Sequence, residues 1–268
     1  MNRPVANIVK TLRAGAAALA VSGLYCSFVS LPAYADEANA KELFRAMSDY
    51  LVGQEAISFR YDATLEVVTS DLQKVGFASS GAIVLSRPDK VRMTRTGGFV
   101  DIEVAYDGKT LAAIGKNRNV FAKVDRSGTI DELVDALRFE HGLVLPAADL
   151  LSSSPYDAMM SNVTDVKDLG SGVIGGRECD HLAFRTDTTD WQIWIAQGDT
   201  PFPCRLTITS KTMTLAPSYT IDVNDWKAGD DVSGDDFLLN TGDAKEVEIG
   251  KMSGLDEAPD LSGSGGAQ

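Results

Sequence analysis

Only a few residues of this sequence have a type and spacing that could support catalysis. Cys179 and His181 lie two positions apart and could act as a nucleophile and its base. Residues two apart in a strand point side by side, however, and no third residue that would orient the histidine is evident. The other histidine, His141, precedes Gly142 and is explained as a cap for carbonyls at a helix end. We therefore predict that the protein is not an enzyme, and a hydrolase is the least favoured alternative.

The cysteines raise the questions of a metal site and a disulfide. Two cysteines and two histidines outside the first 35 residues lack the spacing of metal ligands, so we predict no metal and no cofactor. Export would favour a disulfide between Cys179 and Cys204. These residues lie on the first and third strands of a predicted meander, about 10 Å apart, which exceeds the roughly 7 Å reach of a disulfide. A loop at 198–203 could bring Cys204 closer, so the sequence leaves both states open.

The first 35 residues have the features of an export signal. A basic start without acidic residues precedes a stretch of apolar and small residues at 14–31, and Ala-Tyr-Ala at 33–35 fits the small-x-small cleavage rule. A membrane helix is the alternative, but glycine, serine and proline weaken the stretch. The bulky residue before Cys26 does not fit a lipoprotein cleavage site. We predict cleavage after residue 35 and a soluble periplasmic protein with no integral membrane segment.

Charge and length limit what the remaining chain can be. Without the leader, 22 basic residues stand against 38 acidic ones, a net charge of −16. Nucleic acids and anionic membrane surfaces need a basic footprint, so neither is expected as a partner. Residues 36–252 are long enough for a single β-rich domain. Residues 253–268 are glycine, serine and acidic residues for the most part, and we predict a disordered tail.

Hydrophobic periodicity predicts a β-rich fold with a few helices. Residues 57–67 alternate between apolar and polar side chains, as in a strand with one buried face. Ten more strands are predicted at 75–85, 90–96, 100–106, 109–115, 119–124, 163–169, 178–187, 190–197, 204–213 and 217–226. Helical spacing appears at 39–51, 129–142, 146–151 and 155–160. A sheet of about ten strands tends to curl or close. We predict an α+β fold, a strongly curved antiparallel sheet or incomplete β-barrel with a helical lid.

Apolar rows of this sheet and of the middle helices are predicted to face each other and hold an apolar ligand. Ordinary core packing would explain the methionines equally well, and a slip of one residue in register would reverse the sheet face. The candidate ligand-binding residues are Phe59, Tyr61, Phe77 and Met93 of the sheet, and Leu133, Leu137, Leu150, Met159 and Met160 of the helices.

A set of short motifs resembles the bacterial predicted periplasmic proteins grouped as domain of unknown function 2092. The resemblance covers roughly residues 40–250, and the chain departs from the family pattern at 240–244, where Pro-Pro-x-Gly-Ala is expected. The motifs are Met-Ser-Asp-Tyr-Leu at 47–51, Ser-Arg-Pro-Asp-Lys at 86–90, Tyr-Asp-Gly-Lys at 106–109, Leu-Pro-Ala-Ala-Asp-Leu-Leu at 145–151, Cys-Asp-His-Leu-Ala-Phe-Arg at 179–185, Asp-Trp-Gln-Ile-Trp-Ile at 190–195 and Pro-Phe-Pro at 201–203.

This family is considered similar in fold to the lipoprotein carriers LolA and LolB. The resemblance therefore implies an incomplete antiparallel barrel with a helical lid. It also implies that Arg87, the arginine before the proline, anchors the lid by bonding to it. A salt bridge at the sheet edge is the alternative role for Arg87.

Three functions follow as hypotheses. The first is a periplasmic binding or carrier protein that holds an acyl chain, a lipid, a lipoprotein or another apolar ligand. The second is an interaction or sensor module that docks to an envelope protein and has no ligand cavity. The third is the hydrolase that the Cys179 and His181 pair would allow.

Overall fold

The computed structural model describes residues 34–143, 145–252 and 254–255. Residues 1–33 of the predicted leader lie outside the described residues, and so does most of the predicted tail. The packed chain continues to Leu255, which is buried, three residues past the domain boundary predicted at 252. Among the described residues, no helix is long and apolar enough to cross a membrane.

The described chain has three α-helices and twelve strands, with short 3-10 turns between some of them. Helix α1 begins earlier than predicted, at Tyr34, and β12 near the end was not predicted. The elements are α1 (Tyr34–Val52), β1 (Ala56–Val68), β2 (Lys74–Ser86), β3 (Lys90–Gly97), β4 (Asp101–Tyr106), β5 (Thr110–Gly115), β6 (Val120–Asp125), α2 (Ile130–Phe139), a 3-10 turn (Ala148–Leu151), α3 (Pro155–Met160), β7 (Asp165–Ile174), β8 (Arg177–Arg185), β9 (Thr189–Ala196), β10 (Pro203–Ser210), β11 (Ser218–Ala228) and β12 (Lys245–Glu246).

All twelve described strands belong to one sheet. Their order is β12-β6-β5-β4-β3-β2-β1-β11-β10-β9-β8-β7, so β1 pairs with β11 and the two halves of the chain meet in the middle. Neighbours are antiparallel except β12, which runs parallel to β6. No pairing joins the edge strands β12 and β7 in the described part of the chain, so the sheet is open. The predicted fold class, a large antiparallel sheet that does not close into a barrel, is confirmed.

The core lies on the face of the sheet that the helices cover, here called the inner face. Helix α1 buries Phe44, Met47 and Leu51 completely against it. The ring of Phe44 lies 5.3 Å from those of Phe184 in β8 and Trp191 in β9. The helical spacing of these apolar residues places them on one stripe of α1, and burying that stripe stabilises the helix on the sheet.

On the opposite, outer face, Arg92 of β3 fixes the segment that follows β11. Its guanidinium donates to the carboxylates of Glu103 (2.6 Å) and Asp235 (2.8 Å) and to the carbonyl of Leu238 (2.8 Å). The hydrogen bond to Asp235 raises the pKa of Arg92 above its ordinary value. These charge-assisted bonds hold residues 235–238 against the outer face. The sequence departs from the family pattern just after this segment, at 240–244.

Candidate functional site

A cavity of about 160 Å³ lies between the inner face and the helices of the middle of the chain. We call residues 129–143 and 145–153 the lid. The cavity wall is apolar, apart from the polar atoms of two tyrosines and one tryptophan. Its lining residues are Leu51, Phe59, Tyr61, Ile83, Leu85, Val91, Met93, Val104, Leu111, Ile130, Leu133, Val134, Leu137, Leu145, Pro146, Ala147, Ala148, Leu150, Leu151, Pro203, Leu206, Tyr219, Ile221, Val223 and Trp226.

The floor of the cavity depends on a close approach between β1 and β2. Tyr61 lies over Gly81, its cross-strand partner, and donates a hydrogen bond from its hydroxyl to the carbonyl of Thr94 at 3.2 Å. A Cβ atom at position 81 would come within 2.6 Å of the Tyr61 ring. Glycine is therefore needed there for the tyrosine to lie flat and line the cavity.

The lid begins with the capping box that the sequence predicts. The Thr129 hydroxyl accepts from the backbone N–H of Glu132 (3.3 Å), and the Glu132 carboxylate accepts from the backbone N–H of Thr129 (2.7 Å). This cap fixes the start of α2. Because Leu133 and Leu137 lie one turn apart on the same face of the helix, both then face the cavity.

Polar contacts join the parts of the lid into one unit. Arg138 of α2 donates to both carboxylate oxygens of Asp149 (2.6 and 3.0 Å) and to the carbonyl of Leu145 (2.8 Å). The carboxylate of Asp131 accepts from the backbone N–H of Ser153 at 3.0 Å. Helix α2 and the 3-10 turn are thus cross-linked at their rim and not through the space beneath them.

Arg87 connects the end of β2 to this lid. Its guanidinium donates to the carbonyls of Leu151 (3.1 Å) and Ser152 (3.2 Å) and, more weakly, to that of Leu51 in α1 (3.5 Å). Burial lowers the pKa of Arg87, and the nearby Asp131 opposes that shift. One side chain therefore connects the sheet, the lid and α1.

Replacing Arg87 by leucine is expected to loosen the lid. The backbone carbonyls of Leu151 and Ser152 would lose a charged donor, and such bonds contribute about 1.5–3 kcal/mol each. Amide hydrogen exchange should then accelerate at 146–152 while the amides of β8 and β9 keep their protection. The matched control is Arg60→Leu, since Arg60 is exposed on the outer face. Equal protection of the lid in Arg87→Leu and wild type would show that Arg87 does not anchor it.

Six of the nine candidate ligand-binding residues line the cavity, and three lie elsewhere. Those on the wall are Phe59, Tyr61, Met93, Leu133, Leu137 and Leu150. Phe77 is on the inner face opposite Leu65 but beyond the lid, where its ring meets that of Phe99 at 5.5 Å. Met159 and Met160 pack on the core under α3, because that short helix lies against α1 and not over the cavity.

A second group of cavity residues was not predicted. It comes from β10 and β11, among them Leu206, Ile221 and Trp226, which face the lid because β11 pairs with β1. The alternation within these strands indicates which side chains share a face. It does not identify the neighbouring strand, which here is more than 150 residues away in sequence.

The cysteines and histidines among the described residues do not assemble a catalytic group. Cys179 is bonded to Cys204, so its sulfur is not available as a nucleophile. His181 stacks on Trp194 with ring centroids 4.0 Å apart, and its Nε2 lies 2.9 Å from the side-chain oxygen of Gln192. In the part of the chain that the structure describes, no three histidine, cysteine or acidic side chains form a metal-binding group.

The disulfide is possible because β10 is irregular at its start. Pro203 pairs with Ile195 and Arg205 with Trp194, which leaves Cys204 as the extra residue of a β-bulge. The middle strand β9 ends at Ala196, the partner of Cys179. The two cysteine Cα atoms are therefore 7.0 Å apart, not the 10 Å of regular strands.

One comparison with known proteins identifies a family for this chain. A family model described as "Predicted periplasmic protein (DUF2092)" matches residues 40–250. No curated protein sequence matches the chain. Among solved structures, the lipoprotein LppX of Mycobacterium tuberculosis is 16% identical, with 74% of this chain and 100% of that chain covered and a TM-score of 0.43. LprF from Mycobacterium bovis is 12% identical (74% and 96% covered, TM-score 0.42). The MucA/MucB complex of Pseudomonas aeruginosa is 10% identical (75% and 61% covered, TM-score 0.42).

Proposed function

We propose, from the premise that this chain belongs to the DUF2092 family of predicted periplasmic proteins, that it is a periplasmic binding or carrier protein for an apolar ligand. An acyl chain, as part of a free lipid or of a lipoprotein, would lie between the sheet and the lid. The observation that carries the proposal is the apolar cavity beneath the lid.

An apolar space that the lid does not fill needs an explanation. Apolar surfaces that face each other are driven together by roughly 25 cal/mol per Å² of buried area. Here Arg138 and Asp131 brace the lid internally at its rim, and Arg87 ties the braced lid to the end of β2. A cavity of about 160 Å³ is similar to an engineered apolar cavity of roughly 150 Å³ that binds benzene. An apolar ligand would fill space that the lid itself does not.

Docking to an envelope protein is the second candidate. Helix α2 ends in Phe139, whose side chain is 82% exposed. A large exposed apolar side chain at the tip of the lid would suit a protein partner. This function would not need the cavity, so occluding the cavity separates the two candidates.

Titration with the fluorescent fatty acid cis-parinaric acid tests the proposal. Val104→Trp would place a large ring inside the cavity and is expected to weaken probe binding at least tenfold. The matched control is Val173→Trp, because Val173 lies on β7 and is 66% exposed. Circular dichroism would show that both variants fold. A wild type that binds no probe, or equal affinity in the two variants, would contradict the proposal.

A further inference from the structure

The sheet is split between β10 and β11 at one end. These strands pair from Thr209 and Ser218 as far as Arg205 and Asp222, and there the pairing ends. Beyond that point β10 continues beside β9 and β11 continues beside β1. Both strands carry a β-bulge at the split, at Cys204 in β10 and around Asp225, where φ is 51°, in β11. Bulges bend the strands that contain them, which explains why the two strands part here.

Aromatic rings fill the split. Phe202 and Trp226 stack nearly parallel, with centroids 5.1 Å apart, and Trp226 also stacks with Phe59 at 5.5 Å. The indole N–H of Trp226 donates to the hydroxyl of Tyr50 in α1 at 3.3 Å. Phe202 belongs to the wall that the Cys179–Cys204 disulfide fixes. Trp226 is held by two ring contacts and one hydrogen bond, and of the two stacked rings it is the one that does not lie beside the disulfide.

Trp226 and Val223 line the cavity on the inner face and also a groove on the outer face. The groove has a volume of about 640 Å³. Its walls are polar where Arg205, Asp222 and Asn224 point away from the lid, and Arg177 reaches over the ring of Phe202 at 5.1 Å. The apolar cavity and the polar groove thus meet at the Trp226 side chain.

We propose that this split is a passage through the sheet, gated by Trp226, for the apolar chain of a single-chain amphiphile such as a fatty acid. The chain enters the cavity and the polar end stays in the outer groove. The inference rests on the proposed function. Its further support is size, because a cavity of about 160 Å³ suits a benzene-sized group and a longer chain needs the adjoining groove.

Stopped-flow kinetics with cis-parinaric acid tests the passage. Tyr50→Phe removes the hydroxyl that holds the indole and leaves the cavity wall unchanged. We expect the association and dissociation rates both to rise about fivefold, the effect of one hydrogen bond, with the dissociation constant within twofold of wild type. Trp226→Ala should raise both rates more. The matched control is Tyr156→Phe, on α3 beside Phe44 and away from the split, which should leave both rates unchanged.

The outcomes separate this inference from the proposed function. A wild type that binds no probe would contradict the proposed function and the passage as well. Probe binding with unchanged rates in both Tyr50→Phe and Trp226→Ala would overturn the passage alone. Rates that rise only in Arg87→Leu would also overturn it, since the ligand would then enter beneath the lid. Circular dichroism of each variant checks the fold, and Tyr50→Phe decides the question if Trp226→Ala does not fold.

Discussion

Replacing both Cys179 and Cys204 by alanine is expected to lower the free energy of unfolding by about 3 kcal/mol. The disulfide closes a loop across a sequence separation of 25 residues, which restricts the unfolded chain. Urea unfolding of the oxidised wild type and of the double variant, followed by circular dichroism, measures the difference. Both half-cystines are buried, so alanine avoids leaving a buried hydroxyl without a partner.

A thiol assay provides the control for this prediction. The exported wild type, unfolded without reductant, should show no free thiol, and addition of reductant should release two. Reduced wild type should then unfold at nearly the same urea concentration as the double variant. Two free thiols before reduction, or equal stability of the oxidised wild type and the variant, would show that the cysteines are not bonded.

Phe44→Ala is expected to cost about 3–5 kcal/mol of unfolding free energy. Phe44 is fully buried and contacts the rings of Tyr156, Phe184 and Trp191, so it joins α1 and α3 to the sheet. Removal of the ring would leave a cavity at the point where these elements meet. Urea unfolding gives the value.

The same substitution at Phe139 is the control for this core prediction. Phe139 is on a helix too, but it is exposed, and its replacement by alanine should change the unfolding free energy by no more than about 0.5 kcal/mol. Similar losses in Phe44→Ala and Phe139→Ala would mean that α1 does not pack on the sheet as described.

Local patterns in the sequence account for much of the fold. The alternation in β1 identifies Phe59 and Tyr61 as inner-face residues, and Thr129 with Glu132 marks the start of α2. These features depend on the two-residue period of a strand and on a helix cap, and both are determined by residues that are close in sequence. Strand β12 was missed because its two residues pair in parallel at the sheet edge and carry no period of their own.

The candidate site depends more on long-range contacts, and the sequence predicts less of it. Period two places Phe77 on the correct face but does not say how far the lid extends along the sheet. The disulfide depends on the bulge at Cys204, and the position of Trp226 depends on a second bulge in β11. A β-bulge can be recognised only when the partner strand and its register are known, because the bulge is defined by the residue that the extra one faces.

Mass spectrometry of the gently purified wild type and of Val104→Trp tests the central claim, that the cavity holds an apolar ligand, most directly. Native spectra followed by lipid extraction would show whether a molecule accompanies the protein. We predict about one lipid or fatty acid per wild-type chain, retained in Val173→Trp and absent from Val104→Trp, since the cavity has room for no more than one apolar chain. A wild type that carries no bound molecule, or the same lipid in equal amount on Val104→Trp, would contradict the claim.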